Sequence, residues 1–220
     1  MQVLESSWIR ARLAEVPDEE LFPLLDVGSS TLEFRTQVQP YIESEVFAPL
    51  ARRGGRVWHA DIKPAPGVDL VGDLLDPDFQ ERLRALGVRS ALVCNVLHHV
   101  TDAERLCAAI AAVVRPKGRV ILSGPHRFPR HFDPIDTLFR PDLAQVAALF
   151  PQASLEAGEI LDCGNWRQWR AAERGGRSFP RAFARLFTPF YRPRKWLELA
   201  CEAPYFVRHV RTFVAVLRLP

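Results

Sequence analysis

The run Leu24-Leu25-Asp26-Val27-Gly28-Ser29-Ser30-Thr31-Leu32 constrains this chain more than any other stretch of it. Apolar residues beginning at Leu21 lead into an acid, then a glycine, then two small hydroxyl residues. That order reads as a buried strand whose exit loop lets backbone approach a ligand closely. A strand buried on both faces belongs to a parallel sheet, and parallel strands need crossover connections, usually helices. The remaining residues must therefore supply alternating strands and helices.

The pattern along the chain meets that requirement. A helix is expected over 1–16, ended by Pro17 and the acids Asp18, Glu19 and Glu20. Strand one spans 21–26, and a helix over 41–53 stops at Gly54-Gly55. Further strands are expected at 56–60, 68–71, 90–94 and 119–123, a sixth within 153–161 and a last within 206–219. Helices fall over 78–86, over 102–114 behind the capping box Thr101-x-x-Glu104, and over 141–150 with proline in the first turn. The expectation is an α/β fold: a mostly parallel seven-stranded sheet, helices on both faces, and a helical insertion before the last strand.

Open parallel sheets bind ligands at the carboxyl ends of their strands, near the switch point in strand order. Here those ends carry Asp26-x-Gly28, Asp61, Asp73 and Asn95. An acid after strand two is able to accept both hydroxyls of a ribose. Gly28 has no side chain to hold a ligand away.

These residues resemble the motifs of the class I S-adenosylmethionine (SAM) dependent methyltransferases. Asp26-x-Gly28 is similar to the family's first motif, Asp61 to its ribose-binding acid, and Gly72-Asp73 to its adenine-contacting acid. Asn95-Val96-Leu97-His98-His99 and Arg115-Pro116-Lys117-Gly118 look like its fourth and post-fourth motifs. The resemblance covers 21–123 and extends more loosely to 161. It implies a Rossmann-like fold with the last strand reversed, and SAM as cofactor. It further implies Asp26, Gly28, Ser29, Ser30, Asp61, Asp73, Asn95 and His98 around that cofactor. Ser30 and Leu32 stand where the family prefers glycines, and Leu32 is expected beside the methionine end. A nicotinamide dehydrogenase would need G-x-G-x-x-G, of which only Gly28 is present.

Methyl transfer from a sulfonium is an in-line displacement, so the protein mainly positions and desolvates the acceptor. A hydroxyl acceptor also needs a base, and histidine is the natural one. His98 and His99 follow strand four, and only one of two adjacent residues is expected to face the acceptor. The Pro-stiffened loop after strand five offers His126 or His131 as base or hydrogen-bond partner, with Asp133 or Asp136 to orient it. Arg140 is available to neutralise an anionic acceptor. The catalytic candidates are thus His131, His126, His99 and Asp133. An ordered structural loop is the alternative for the same residues. No metal site is expected, and the four cysteines lack paired spacing. Cys94 and Cys107 read as buried free thiols.

The net charge of +3 is unevenly spread. Between Cys163 and Ala200, nine Arg and Lys stand against two Glu, which leaves the remaining residues net acidic. Phe179, Phe183, Phe187 and Phe190 fall at helical spacing there, with Trp166, Trp169, Tyr191 and Trp196 nearby. The segment 163–200 reads as a helical cap or a lid, as a surface for an anionic saccharide- or lipid-linked substrate, or as a peripheral membrane contact. No RNA-binding motif accompanies it, which ranks a small-molecule partner above nucleic acid. No stretch of about 18 uncharged apolar residues is present, and a cytoplasmic location is expected. The whole reads as one domain over 1–220, a SAM-dependent methyltransferase acting on an oxygen, less readily a nitrogen, of a small or saccharide-like metabolite. A non-catalytic binding or scaffold protein of the same fold is the alternative, motivated by the altered glycine loop.

Overall fold

Seven strands form one sheet in the order β3-β2-β1-β4-β5-β7-β6 in the computed structural model, which describes residues 1–132, 135–165, 168 and 193–220. They are β1 (Leu24–Val27), β2 (Val57–Asp61), β3 (Leu70–Val71), β4 (Ser90–Cys94), β5 (Arg119–Arg127), β6 (Ser154–Asn165) and β7 (His209–Arg218). From β3 through β5 every pairing is parallel. β7 runs antiparallel between β5 and β6, so the sheet is mixed rather than wholly parallel. The reversed strand is the last one, as the resemblance implied.

Strand alternation divides the core between the two faces. Leu25 and Val27 join Val93 and Leu122 in one buried cluster with Phe79, Leu83 and Ile110. Those three come from α5 (Pro77–Ala85) and α6 (Ala103–Val113). Leu24, Leu92 and Ile121 join the opposite cluster with Ile9, Leu13, Val46 and Leu50. Ile9 and Leu13 belong to α1 (Val3–Glu15). Both faces are thus covered, which is why β1 reads as an unbroken apolar run up to Asp26.

Several boundaries differ from the sequence expectation, each for a local reason. Leu21 is not in β1: it ends a short helix, α2 (Asp18–Leu21), and Pro23 separates the two elements. The expected helix over 41–53 is irregular. Two π-helical turns, Phe34–Val38 and Glu43–Phe47, alternate with α3 (Pro40–Ile42) and α4 (Ala48–Arg52). Pro40 and Pro49 lack the N–H that an unbroken helix needs at those positions. α6 is capped by Asp102 rather than Thr101, its carboxylate accepting the Arg105 N–H at 2.9 Å. Pro141 lies ahead of α7 (Leu143–Ala148), which Asp142 caps in a capping box with Gln145. β5 and β6 each run four residues beyond their expected ends. α8 (Pro193–Glu202) then leads back toward β7. The expected phenylalanine stripe of 179–190, with Trp166, Trp169 and Tyr191, lies outside the described residues.

Candidate active site

Strand order changes direction between β1 and β4, and the crevice above their carboxyl ends is the expected ligand position. Three residues there take left-handed backbone: Gly28 (φ 70°), Ser30 (φ 56°) and Asn95 (φ 58°). A Cβ on Gly28 would lie 2.6 Å from Val96 Cγ2, so the position admits only glycine without movement. Ser30 adopts the conformation that glycine takes most easily.

What holds the loop is a set of backbone bonds to neighbouring segments. The Gly28 and Ser29 N–H groups donate to the Ala60 carbonyl at 2.9 and 3.1 Å. Asp61 Oδ2 accepts the Ser30 N–H at 3.0 Å, and Asp61 Oδ1 accepts the Lys63 N–H at 3.1 Å. From the opposite side, Arg35 Nη1 donates to the Ser29 carbonyl at 3.1 Å and Nη2 to the Gly67 carbonyl at 3.0 Å. Arg35 is only 3% exposed and stacks over Phe47 at 5.7 Å. Sequence reasoning missed this residue; its one signal is a lone cation among the apolar positions Leu32, Phe34 and Val38. Leu32 does not crowd the site. It is exposed, donates its N–H to the Pro66 carbonyl, and lines neither cavity described below.

Asp26 is buried and accepts from His59 Nδ1 at 2.8 Å, across the β1–β2 register. Asp73 is exposed, and its Oδ1 accepts the Leu75 N–H at 2.8 Å in a local turn. Asn95 is oriented by α1, its Nδ2 donating to Glu5 Oε1 at 2.7 Å. Glu5 is fully buried on the same helical stripe as Ile9 and Leu13. Its other oxygen accepts the Gln2 N–H.

Two cavities meet above the strand ends. The smaller, about 540 Å³, has Asp61, Lys63 and Asp73 on its wall beside the apolar Val68, Leu74 and Val96. The larger, about 770 Å³, has Asp26, Ser29 and Arg35 on one side and His98, Phe128 and His131 on the other. Gly28, Ser30, Asn95 and His99 line both. α8 adds Glu198 and Glu202 to the larger one, two acids that sequence reasoning did not place.

The histidines of the two loops converge. His98 and His99 sit on a 3₁₀ turn after β4 (Leu97–His99), and His131 comes from the loop after β5. Ring centroids are 3.9 Å apart for His98–His99 and 4.9 Å for His98–His131, and the Phe128 ring lies 4.9 Å from His131. Burial, reinforced by neighbouring His99 and His131, pushes the His98 pKa down to about 2, so its ring is neutral. His99 Nδ1 lies 2.6 Å from the Ile135 carbonyl, which accepts only; Nδ1 therefore carries the proton and Nε2 the lone pair.

Among the other nominated groups, His126 does not join this cluster. It is the extra residue of a bulge between Pro125 and Arg127, its Nδ1 lies 2.9 Å from the Pro141 carbonyl, and it lines neither cavity. Asp133 lies outside the described residues. Asp136 accepts the His131 N–H at 2.7 Å and is gripped by both terminal nitrogens of Arg140, at 3.1 and 2.8 Å. Burial would raise its pKa, but the Arg140 guanidinium and two backbone N–H groups outweigh that and hold it well below the usual range. Arg140 is thus engaged internally rather than offered to an acceptor.

No family model matches the sequence, and no curated protein matches it. Solved structures do match in fold. A candidate sarcosine dimethylglycine methyltransferase from Galdieria sulphuraria aligns with TM-score 0.54 and 12% identity over 97% of this chain and 84% of its own. Coclaurine N-methyltransferase, bound to N-methylheliamine and S-adenosylhomocysteine (SAH), aligns at 0.53 and 12% over 98% and 72%. A SAM-dependent methyltransferase from Anabaena variabilis ATCC 29413 aligns at 0.51 and 12% over 100% and 88%. With the strand order, the reversed β7 and the crevice above β1 and β4, these likenesses identify the fold of the chain as that of the class I SAM-dependent methyltransferases.

Proposed function

We propose that the chain is a SAM-dependent methyltransferase acting on a small-molecule oxygen or nitrogen, with 1–220 as one domain and 163–200 as a basic aromatic helical insertion within it. The shared wall of the two cavities carries this reading: Gly28, Ser30, Asn95 and His99 stand between a carboxylate-bearing apolar slot and an imidazole-lined chamber. Both volumes fall in the range of small-ligand sites.

The residues present fit the cofactor. A carboxylate offers about four acceptor positions, and Asp61 spends two on backbone N–H groups, leaving capacity for two ribose hydroxyls. Val68, Leu74 and Val96 offer apolar surface to a flat heterocycle. SAM held by these residues would supply an activated sulfonium methyl to an acceptor placed in the larger cavity. His99 Nε2 then takes the acceptor's proton, with Nδ1 fixed by the Ile135 carbonyl. His98 and His131 wall the acceptor and keep water out.

The far side of the larger cavity supports one of these two acceptor classes over the other. Glu198 and Glu202 lie one helical turn apart on the larger cavity, and two carboxylates suit a basic nitrogen better than an anion. A cytoplasmic place is supported by four free cysteines, Cys94, Cys107, Cys163 and Cys201.

Calorimetry with SAM and with SAH, followed by transfer of labelled methyl to matched hydroxyl and amine acceptors, tests the proposal. Micromolar binding of both and label in one acceptor class are expected. His99→Gln should lower turnover far more than SAM affinity. No binding of either compound at high micromolar concentration overturns the reading in favour of a non-catalytic protein of this fold.

A further inference from the structure

The convergence of three imidazoles is more than a wall. His98, His99 and His131 each bring a ring nitrogen to a place where all three lie within 4.8 Å of one another. We propose that these three histidines bind a divalent transition metal of the zinc class, with one coordination position open to the larger cavity.

The donor set selects the ion. Three nitrogen ligands without thiolate or carboxylate suit zinc, cobalt or nickel and not magnesium or calcium, which take oxygen. Zinc–nitrogen bonds of about 2.0–2.1 Å in a tetrahedron require nitrogens about 3.3 Å apart, a closure within reach of side-chain torsions.

The surroundings are those that imidazole ligands need. A ligating histidine usually donates its other ring N–H to a carbonyl or carboxylate, which fixes the ring and raises its basicity. His99 does so toward the Ile135 carbonyl. His131 has the Asp136 carboxylate 3.7 Å from its Nδ1 and bonded to its own backbone N–H, and Arg140 holds that carboxylate in place. His98 is 1% exposed, and its Nδ1 is buried without a hydrogen-bond partner among the described residues. Ring stacking alone leaves that nitrogen unexplained, because a buried polar atom without a partner is costly.

Three protein ligands and an open position form the pattern of a catalytic rather than a structural site. The open position takes the donor atom of the acceptor and lowers its pKa. His99 Nε2 is then a ligand and no longer the base: the metal activates the acceptor by lowering its pKa, and the acceptor's proton is released to solvent before the methyl is transferred. This consequence rests on the methyl-transfer reading; the binding site itself does not.

The test uses the full chain without an affinity tag, stripped by chelator. Co2+ is titrated and followed by its visible absorption, Zn2+ affinity is measured by calorimetry, and SAH affinity is measured in parallel. One Co2+ per chain with tetrahedral intensity, displaced by Zn2+ and not by Mg2+, is expected. His99→Gln and His131→Gln should each lower Zn2+ affinity at least tenfold, while His209→Asn, remote from the cluster, leaves it unchanged. Melting curves check that each variant folds, and Zn2+ should raise the midpoint of the parent but not of His131→Gln. Absence of stoichiometric binding, or parent-like Zn2+ affinity in both histidine variants, overturns the site. If Zn2+ binds and SAH does not, the site stands and the methyltransferase reading falls; if SAH binds and Zn2+ does not, the site alone falls.

Discussion

The Ser30 N–H donates to Asp61 Oδ2 across 3.0 Å, tying the loop after β1 to the carboxyl end of β2. This bond does the work that a glycine-rich loop leaves to flexibility. It holds the Ser30 backbone in a left-handed conformation beside the acid expected to meet the ribose. One carboxylate thereby orders the loop and faces the smaller cavity.

Replacing Asp61 should therefore be felt twice. Asp61→Ala is expected to weaken SAM binding by about 1.5–3 kcal/mol, the size of a lost charge-assisted hydrogen bond. Calorimetry with SAM reads this directly, and an unchanged affinity would remove Asp61 from the site.

Gly28→Ala should damage both fold and site. The new Cβ meets Val96 Cγ2 at 2.6 Å and the backbone holds φ at 70°. A strained residue of this kind costs about 1–3 kcal/mol. Urea denaturation should show that loss, and SAM affinity should fall at least tenfold as the loop shifts.

Arg35 is a buried cation whose acceptors are the carbonyls of Ser29, Ser30 and Gly67. Arg35→Met leaves the Gly67 and Ser29 carbonyls short of a donor and should cost about 2–4 kcal/mol. Arg35→Lys keeps the charge but loses the fork that spans two segments. Its stability should fall between the parent and Arg35→Met in the same urea titration.

A surface network gives a pH signature. Glu20 on α2 accepts from Arg119 and Arg218, and these hydrogen bonds lower its pKa below the usual 4.5. A carboxylate depressed in the folded state contributes stability that is fully present above its unfolded pKa. That contribution is lost as pH falls through the folded value. Thermal melts of Glu20→Gln should be lower than the parent at pH 6 and converge with it only as pH falls below the lowered folded value of Glu20. A constant gap at all pH values would show that the charge is immaterial.

Much of this architecture was readable in the sequence, because the signals are local. β4 ends where its apolar run ends, α5 and α6 follow their amphipathic spacing, and Asp61 at the end of β2 and Asp73 just after β3 sit where the turns begin. The irregular helix over 34–52 was not readable by periodicity alone, since Pro40 and Pro49 redirect its bonds while leaving the apolar spacing intact.

The chain's own order of residues thus determined the alternation of strand and helix and the carboxylates that crown the sheet, since run length, capping and glycine placement act over a few residues. Which of those groups meet was decided only by the tertiary structure. His131 joins His98 and His99 across more than thirty residues, while neighbouring His126 turns to the Pro141 carbonyl. Arg35 reaches Gly67, and Glu5 reaches Asn95. Each of these contacts depends on strand register, on a bulge or on which face of a helix is buried, and such long-range choices leave no local pattern to read.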